Sequence, residues 1–247
     1  MSRRSLFVLL VATIGVATSC LPVPPPPVAP PPGPLPTVAV YGDSVALTLG
    51  WDAAEGLENR ARYVGGVQQL GCGAGRFGLR WHVGTAGNLA MCDDQYAKWA
   101  ADAAAKRPDV AVIVEGPWDH LLRLTPGDSQ WRNLGDPVYD HYLLGEMLVA
   151  TDSLLDNGVG EVVWMVLPPQ ELDDLTPTEQ VNRATAWRDL VAWVEMLRPG
   201  RVTVADMWAR TDPLTDDLVR PDGKHFSPDG AVYTWRTWLG DLTIAAA

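Results

Sequence analysis

The chain has 247 residues, with 30 acidic side chains against 19 lysines and arginines and a formal charge of −11 at pH 7. A surface this acidic repels polyanions rather than steering them in, which argues against a nucleic-acid partner and against anionic lipid headgroups held by surface charge. Apolar residues make up 47% of the chain, enough for a sizeable core.

Arg3 and Arg4 precede an apolar run from Leu6 to Val16 and a small-residue exit, Ala17-Thr18-Ser19. Residues 1–19 therefore read as a secretory signal, and the apolar run falls short of the roughly 20 residues that span a bilayer. The expected location is outside the cytoplasm, in the cell envelope as a lipoprotein or secreted. Cys20 follows the small residues and is the candidate lipid anchor, attaching the chain to a membrane; ordinary cleavage would leave it an unpaired thiol. Residues 20–36 are dominated by proline and form a semi-rigid polyproline tether. Residues 37–247 form one domain without internal repeat.

Within that domain, apolar strand-like runs at Thr37–Tyr41, Tyr63–Leu70, Val110–Glu115, Glu161–Leu167 and Arg201–Asp206 alternate with helical stretches. The alternation predicts a three-layer α/β/α flavodoxin-like fold with a five-stranded parallel sheet. Helix signals agree. Val45–Leu57 is helix-compatible, Thr176-Pro177-Thr178-Glu179 places a capping box and a first-turn proline, and Ser227-Pro228 opens the last helix. Trp187 and Trp193, and Trp235 and Trp238, fall at packing positions on helices. Trp81 and Trp131 lie in expected loops, free to stack on a sugar or line an acyl pocket.

The chemistry is carried by the two ends of the domain. Gly42-Asp43-Ser44 interrupts the chain between the first strand and helix, a turn that exposes Ser44 at a helix N-terminus. A serine hydroxyl needs an adjacent base, and an imidazole needs a carboxylate to fix its tautomer. Asp222-Gly223-Lys224-His225-Phe226 supplies both, so the candidate triad is Ser44, His225 and Asp222. His82, His120 and His141 lack an Asp-x-x-His context, although His120 is close enough to the third block to reach a substrate. No Gly-x-Gly-x-x-Gly follows the first strand, and no cofactor is expected.

Gly42-Asp43-Ser44 after the first strand, with Asp222-Gly223-Lys224-His225 late in the chain, resembles the SGNH (GDSL) hydrolase family from Thr37 to Leu242. The resemblance implies an oxyanion hole built from Ser44, a glycine of Leu70-Gly71-Cys72-Gly73-Ala74-Gly75 and a third donor. Gly71 is the expected glycine and Gly73 the alternative. The family's third block reads Gly-x-Asn-Asp, whereas here it is Gly116-Pro117-Trp118-Asp119. Trp118 then either donates its indole N–H, yields the role to a backbone amide, leaves a two-donor hole, or is an aromatic wall. Asp43, Gly73 and Asp119 are expected to contact substrate.

Gly-Cys-Gly in the second block and Gly-x-Trp-Asp in the third are similar to SGNH domains of bacterial acyltransferases that modify surface polysaccharides. Cys72, Cys92 and Trp99 share in this likeness. With Cys20 set aside, Cys72 and Cys92 are expected to pair as a disulfide in an exported protein, or else to remain free thiols. Neither has ligands at metal-site spacing, and no metal is expected. The implied function is a serine esterase or O-acyl transfer enzyme acting on acyl esters, acetyl above all, of envelope glycans or lipids. A non-catalytic glycan- or protein-binding module is the alternative.

Overall fold

The computed structural model describes Leu21 and residues 33–247. The leader, Cys20 and most of the tether lie outside the described residues. The element order is β1 (Thr37–Gly42), α1 (Ser44–Trp51), α2 (Ala53–Gly56), β2 (Arg62–Tyr63), β3 (Leu79–His82), β4 (Thr85–Asn88) and α3 (Gln95–Lys106). There follow β5 (Val110–Val114), β6 (Arg123–Leu124), α4 (Pro137–Leu155), β7 (Glu161–Val166) and α5 (Pro177–Leu197). The chain ends with β8 (Val202–Asp206), α6 (Pro213–Val219), α7 (Pro228–Thr234) and α8 (Gly240–Ala246), the last two joined by a π-helical turn at Trp235–Leu239.

Five strands form an all-parallel sheet in the order β2-β1-β5-β7-β8. That is the flavodoxin-like order, with β1 and β5 flanking the switch point beyond whose carboxyl ends ligands bind. Alternate side chains leave opposite faces, so the strands feed two cores. Ala39, Tyr41, Ala111, Ile113 and Trp164 pack under α3, α4 and α5. Val38, Val40, Val112, Val163 and Met165 pack against α1, α7 and the residues that follow.

Three expectations change. The run at residues 63–70 yields only the two-residue β2 and one isolated bridge from Gly42 to Gln68. Gly65 and Gly66 bend it at φ 89° and 143°, and a Cβ on Gly66 would stand 1.9 Å from the Val40 carbonyl oxygen. The helix expected over 45–57 is broken at Asp52, and Gly56 of its second piece lies against Trp235. On α5, Trp187 is buried but Trp193 is 51% exposed.

A second, antiparallel sheet, β4-β3-β6, was not legible as strands in the sequence. Trp81 therefore lies on a strand, edge-on to Trp131 with ring centres 5.7 Å apart. The β3–β4 hairpin turns through Val83 and Gly84, both at positive φ. It falls wholly inside the loop closed by the Cys72–Cys92 disulfide, whose Cα atoms are 5.6 Å apart.

Candidate active site

β1 ends on Gly42 at φ 141°, where a Cβ would stand 1.9 Å from the Val114 carbonyl oxygen of β5. Only glycine fits there, and the tight exit makes Ser44 the first residue of α1. At the far end of the chain, Gly223 at φ 67° turns the Asp222–Phe226 loop, and its carbonyl accepts from Arg220 Nη1 at 3.2 Å. Arg220 is fixed in turn by two hydrogen bonds to the Asp216 carboxylate. Phe226 is buried, and its N–H donates to Thr48 Oγ1 on α1 at 3.1 Å.

These supports bring Ser44 Oγ to 2.9 Å from His225 Nε2, and His225 Nδ1 to 2.7 Å from Asp222 Oδ2. Asp222 Oδ1 accepts the amides of Lys224 and His225 at 2.9 and 2.7 Å. Partial burial pushes the Asp222 carboxyl up, but the hydrogen bonds from the His225 ring, the His225 amide and the Lys224 amide outweigh it and hold its pKa below the ordinary value. The geometry is that of a nucleophile, base and orienting carboxylate in line.

Ser44 and His225 open into a cleft of about 240 Å³. It is lined by Pro117, Trp118 and Leu121, by His82 and Val83 at the hairpin tip, by Leu172, Asp173 and Asp174, and by Lys224. The Val83 N–H donates to Asp174 Oδ2 at 3.2 Å, joining the hairpin to the 172–174 loop. Sequence reasoning left His82 unassigned and missed Val83, Thr48 and the 172–174 loop, because nothing local marks them. Trp81 and Trp131 are not in the cleft wall.

Three residues expected at the substrate serve the scaffold instead. Asp43 is fully buried; Oδ1 accepts the Val45 amide at 2.8 Å and Oδ2 the Gly116 amide at 3.0 Å, clamping the serine turn to the third block. Burial, above all, raises its pKa to about 7, and the charge of Asp119 adds to the effect. Asp119 is also fully buried, with Oδ2 on the Ala74 amide at 2.6 Å and Oδ1 on the Gly75 amide at 3.0 Å and on Arg123 Nη2 at 2.8 Å. Gly73 is enclosed, because a Cβ would stand 2.3 Å from Asp119 Oδ2. His120 is buried, and that burial lowers its pKa to about 4; it packs near Trp187, 6.1 Å between rings, rather than in the cleft.

Gly71 has φ 80°, and its carbonyl accepts from Arg80 Nη1 at 2.6 Å. Trp118 lies in the cleft wall, with its indole N–H buried and without a hydrogen-bond partner among the described residues. Also among the described residues, no group of three His, Cys, Asp or Glu side chains could hold a metal ion, and no helix is long and apolar enough to cross a membrane.

No protein-family model matches the sequence, and neither does any curated protein. Solved structures do. A GDSL-like lipase from Bacteroides thetaiotaomicron is 13% identical, with 85% of this chain and 87% of that chain covered and a TM-score of 0.52. The chain has the SGNH hydrolase fold. Two further structures share the SGNH fold. One is a carbohydrate esterase family 2 enzyme with a carbohydrate-binding domain from Corynascus thermopiles (Myceliophthora fergusii), 16% identical, covering 89% and 68% at a TM-score of 0.52. The other is a catalytic mutant of an acetylxylan esterase from Geobacillus stearothermophilus, 16% identical, covering 85% and 95% at a TM-score of 0.52.

Proposed function

We propose that this chain is a serine ester hydrolase or acyl-transfer enzyme working through an acyl-enzyme on Ser44. The observation that carries the reading is the unbroken hydrogen-bonded line from Ser44 Oγ through the His225 ring to Asp222, opening into a cleft.

In the first half-reaction, His225 Nε2 takes the Ser44 proton as Oγ bonds to the ester carbonyl carbon. Asp222 stabilises the imidazolium that forms. The oxyanion meets the amide of Ser44 at the helix start and, on the family pattern, the amide of Gly71. Collapse breaks the bond to the leaving alkoxide, which takes the proton from Nε2. In the second half-reaction, water or a sugar hydroxyl gives its proton to Nε2 and attacks the acyl carbon; collapse breaks the bond to Ser44 Oγ, which takes that proton back, and releases the acyl group as the acid or as a new ester.

The substrate class we infer is an acetyl or other small acyl ester on a neutral envelope glycan or lipid. A cleft of about 240 Å³, lined in part by Val83, Pro117, Trp118, Leu121 and Leu172, suits a short acyl chain. The acidic chain disfavours polyanions, and the leader and the Cys72–Cys92 disulfide support an exported protein, anchored through Cys20 or secreted. The likeness of its second and third blocks to acyltransferase-associated SGNH domains supports transfer as well as hydrolysis.

Fluorophosphonate labelling tests the reading, since only an activated serine reacts. The expected result is labelling on Ser44, turnover of p-nitrophenyl acetate, and loss of roughly 10⁴-fold or more in Ser44→Ala. Product on an added glycan separates transfer from hydrolysis. Tryptophan in place of the block's asparagine favours a second reading, a glycan-binding module, which predicts glycan binding with no labelling and no turnover.

A further inference from the structure

Two of the segments that line the cleft meet each other at a single hydrogen bond. One is the tip of the β3–β4 hairpin, with His82 and Val83, and the other is the loop after β7, with Leu172, Asp173 and Asp174. The bond is the one from the Val83 N–H to Asp174 Oδ2, between residues 91 positions apart. Each segment is rooted away from this junction. The hairpin is paired to β6 at Leu79 and Arg80, and the Trp81 N–H donates to the Leu122 carbonyl at 2.9 Å. Beyond Trp81 its second strand pairs with β3 alone and is exposed throughout. From His82 to Gly87 the hairpin makes, among the described residues, no other hydrogen bond to a segment outside itself. The loop after β7 is seated on the loop that carries the base: Leu172 is buried, and a Cβ on Gly223 would stand 2.4 Å from Glu171 Cγ.

The second observation is on Val83 itself. It stands at φ 46° in the hairpin turn, a left-handed conformation that glycine or asparagine adopts readily and a β-branched residue does not. Its side chain is 68% exposed and lines the cleft with Ser44 and His225, so packing in the core does not account for its choice. Local strain kept at the edge of a reactive cleft points to function.

We propose that Asp174 is a specificity-determining positioning residue: by accepting the Val83 amide it holds the hairpin tip against the loop after β7, and this closed junction limits the length of acyl chain that the cleft admits. The side chains at the junction, Val83 and Leu172, are apolar, as are Pro117 and Leu121 in the same lining, so the group that meets them is the acyl chain rather than a hydroxyl-rich alcohol. With the bond broken, the tip parts from the loop and a longer chain passes between them. A hydrogen bond between exposed partners shifts such an open–closed equilibrium by about three- to tenfold, which sets the size of the effect. The inference rests on the proposed esterase reading and names the residue that sets its acyl length.

The test is the ratio of kcat/KM for p-nitrophenyl octanoate to that for p-nitrophenyl acetate, measured in Asp174→Ala and Asp174→Asn, with thermal unfolding as the check on folding. A merely structural loss lowers both rates alike and leaves the ratio where it was. Asp174→Ala removes the acceptor and is expected to raise the ratio about three- to tenfold. Asp174→Asn drops the charge but keeps a carbonyl oxygen for the Val83 amide, and its ratio is expected within about twofold of wild type. Amide hydrogen exchange gives a second reading: the Val83 amide exchanges faster in Asp174→Ala and not in Asp174→Asn. An unchanged or lowered ratio in folded Asp174→Ala, an equal rise in Asp174→Asn, or Val83 exchange indifferent to Asp174→Ala overturns the proposal. If Asp174→Ala fails to fold, Asp174→Ser, whose hydroxyl stops one bond short, takes its place. A wild-type protein that neither labels with a fluorophosphonate nor turns over p-nitrophenyl acetate defeats the esterase reading, and this role with it; an active wild type whose ratio ignores Asp174 defeats this role alone.

Discussion

Thr48 accepts the amide proton of Phe226 on its Oγ1 at 3.1 Å, tying the loop that carries His225 to the helix that carries Ser44. The bond spans 178 residues of sequence and lies one residue beyond the base. Thr48→Val keeps the shape and leaves that amide unpaired. The expected outcome is a loss of about 1–3 kcal/mol in urea unfolding and a fall in kcat of about tenfold at near-constant KM, through misplacement of the imidazole. Unchanged kinetics in a destabilised variant would show that the loop finds its place without the tie.

The disulfide encloses the β3–β4 hairpin, which forms one lip of the cleft. For a loop of 20 residues the chain-entropy account gives about 3 kcal/mol. Cys72→Ser with Cys92→Ser should lower the urea midpoint accordingly, and reduction of the wild-type protein should match it. Identical midpoints for oxidised and reduced protein would contradict this.

Val83 is a β-branched residue at φ 46° in a two-residue hairpin turn, where asparagine is at home. Relief of that conformation predicts that Val83→Asn gains about 1 kcal/mol in stability. Because Val83 also lines the cleft, the same variant should change the ratio of acetyl to butyryl ester turnover. A less stable Val83→Asn would mean that the side chain's packing outweighs the strain.

Glu115 lies fully buried beside Asp43 and Asp119, with one carboxyl oxygen unpartnered. Burial first, then those two charges, hold its pKa well above the ordinary value, and Asp43 is raised to about 7. Both carboxyls keep in the folded chain protons that the unfolded chain releases above about pH 4. Folded protein therefore binds more protons, and stability from these groups falls as pH rises from about 4 through 7 and beyond. His120, lowered to about 4, works the other way below its ordinary value, so the comparison is between variants. Glu115→Gln should melt higher than wild type at pH 8 and show little difference at pH 4.5; the reverse order would overturn the assignment.

Much of the site was legible because motifs are local. Gly42-Asp43-Ser44 and Asp222-x-x-His225 each need only a turn, and turn chemistry is written in a few adjacent residues. The roles of Asp43 and Asp119 were misread for the complementary reason. A carboxylate in a loop looks the same whether it faces solvent or another loop's amides, and the Gly116, Ala74 and Gly75 partners are 44 to 73 residues away.

Composition and periodicity pointed to an acidic chain and to the alternation of parallel strands and helices, and two short motifs with the family resemblance they carry pointed to Ser44, Asp222 and His225, since each depends on neighbours in sequence. Tertiary structure alone decided that Ser44 and His225 touch, that the run at 63–70 loses regular strand form after Tyr63 while staying hydrogen-bonded to β1, and that a small antiparallel sheet walls the cleft. Those outcomes depend on what packs against a segment from elsewhere in the chain, where burial and backbone approach override local preference.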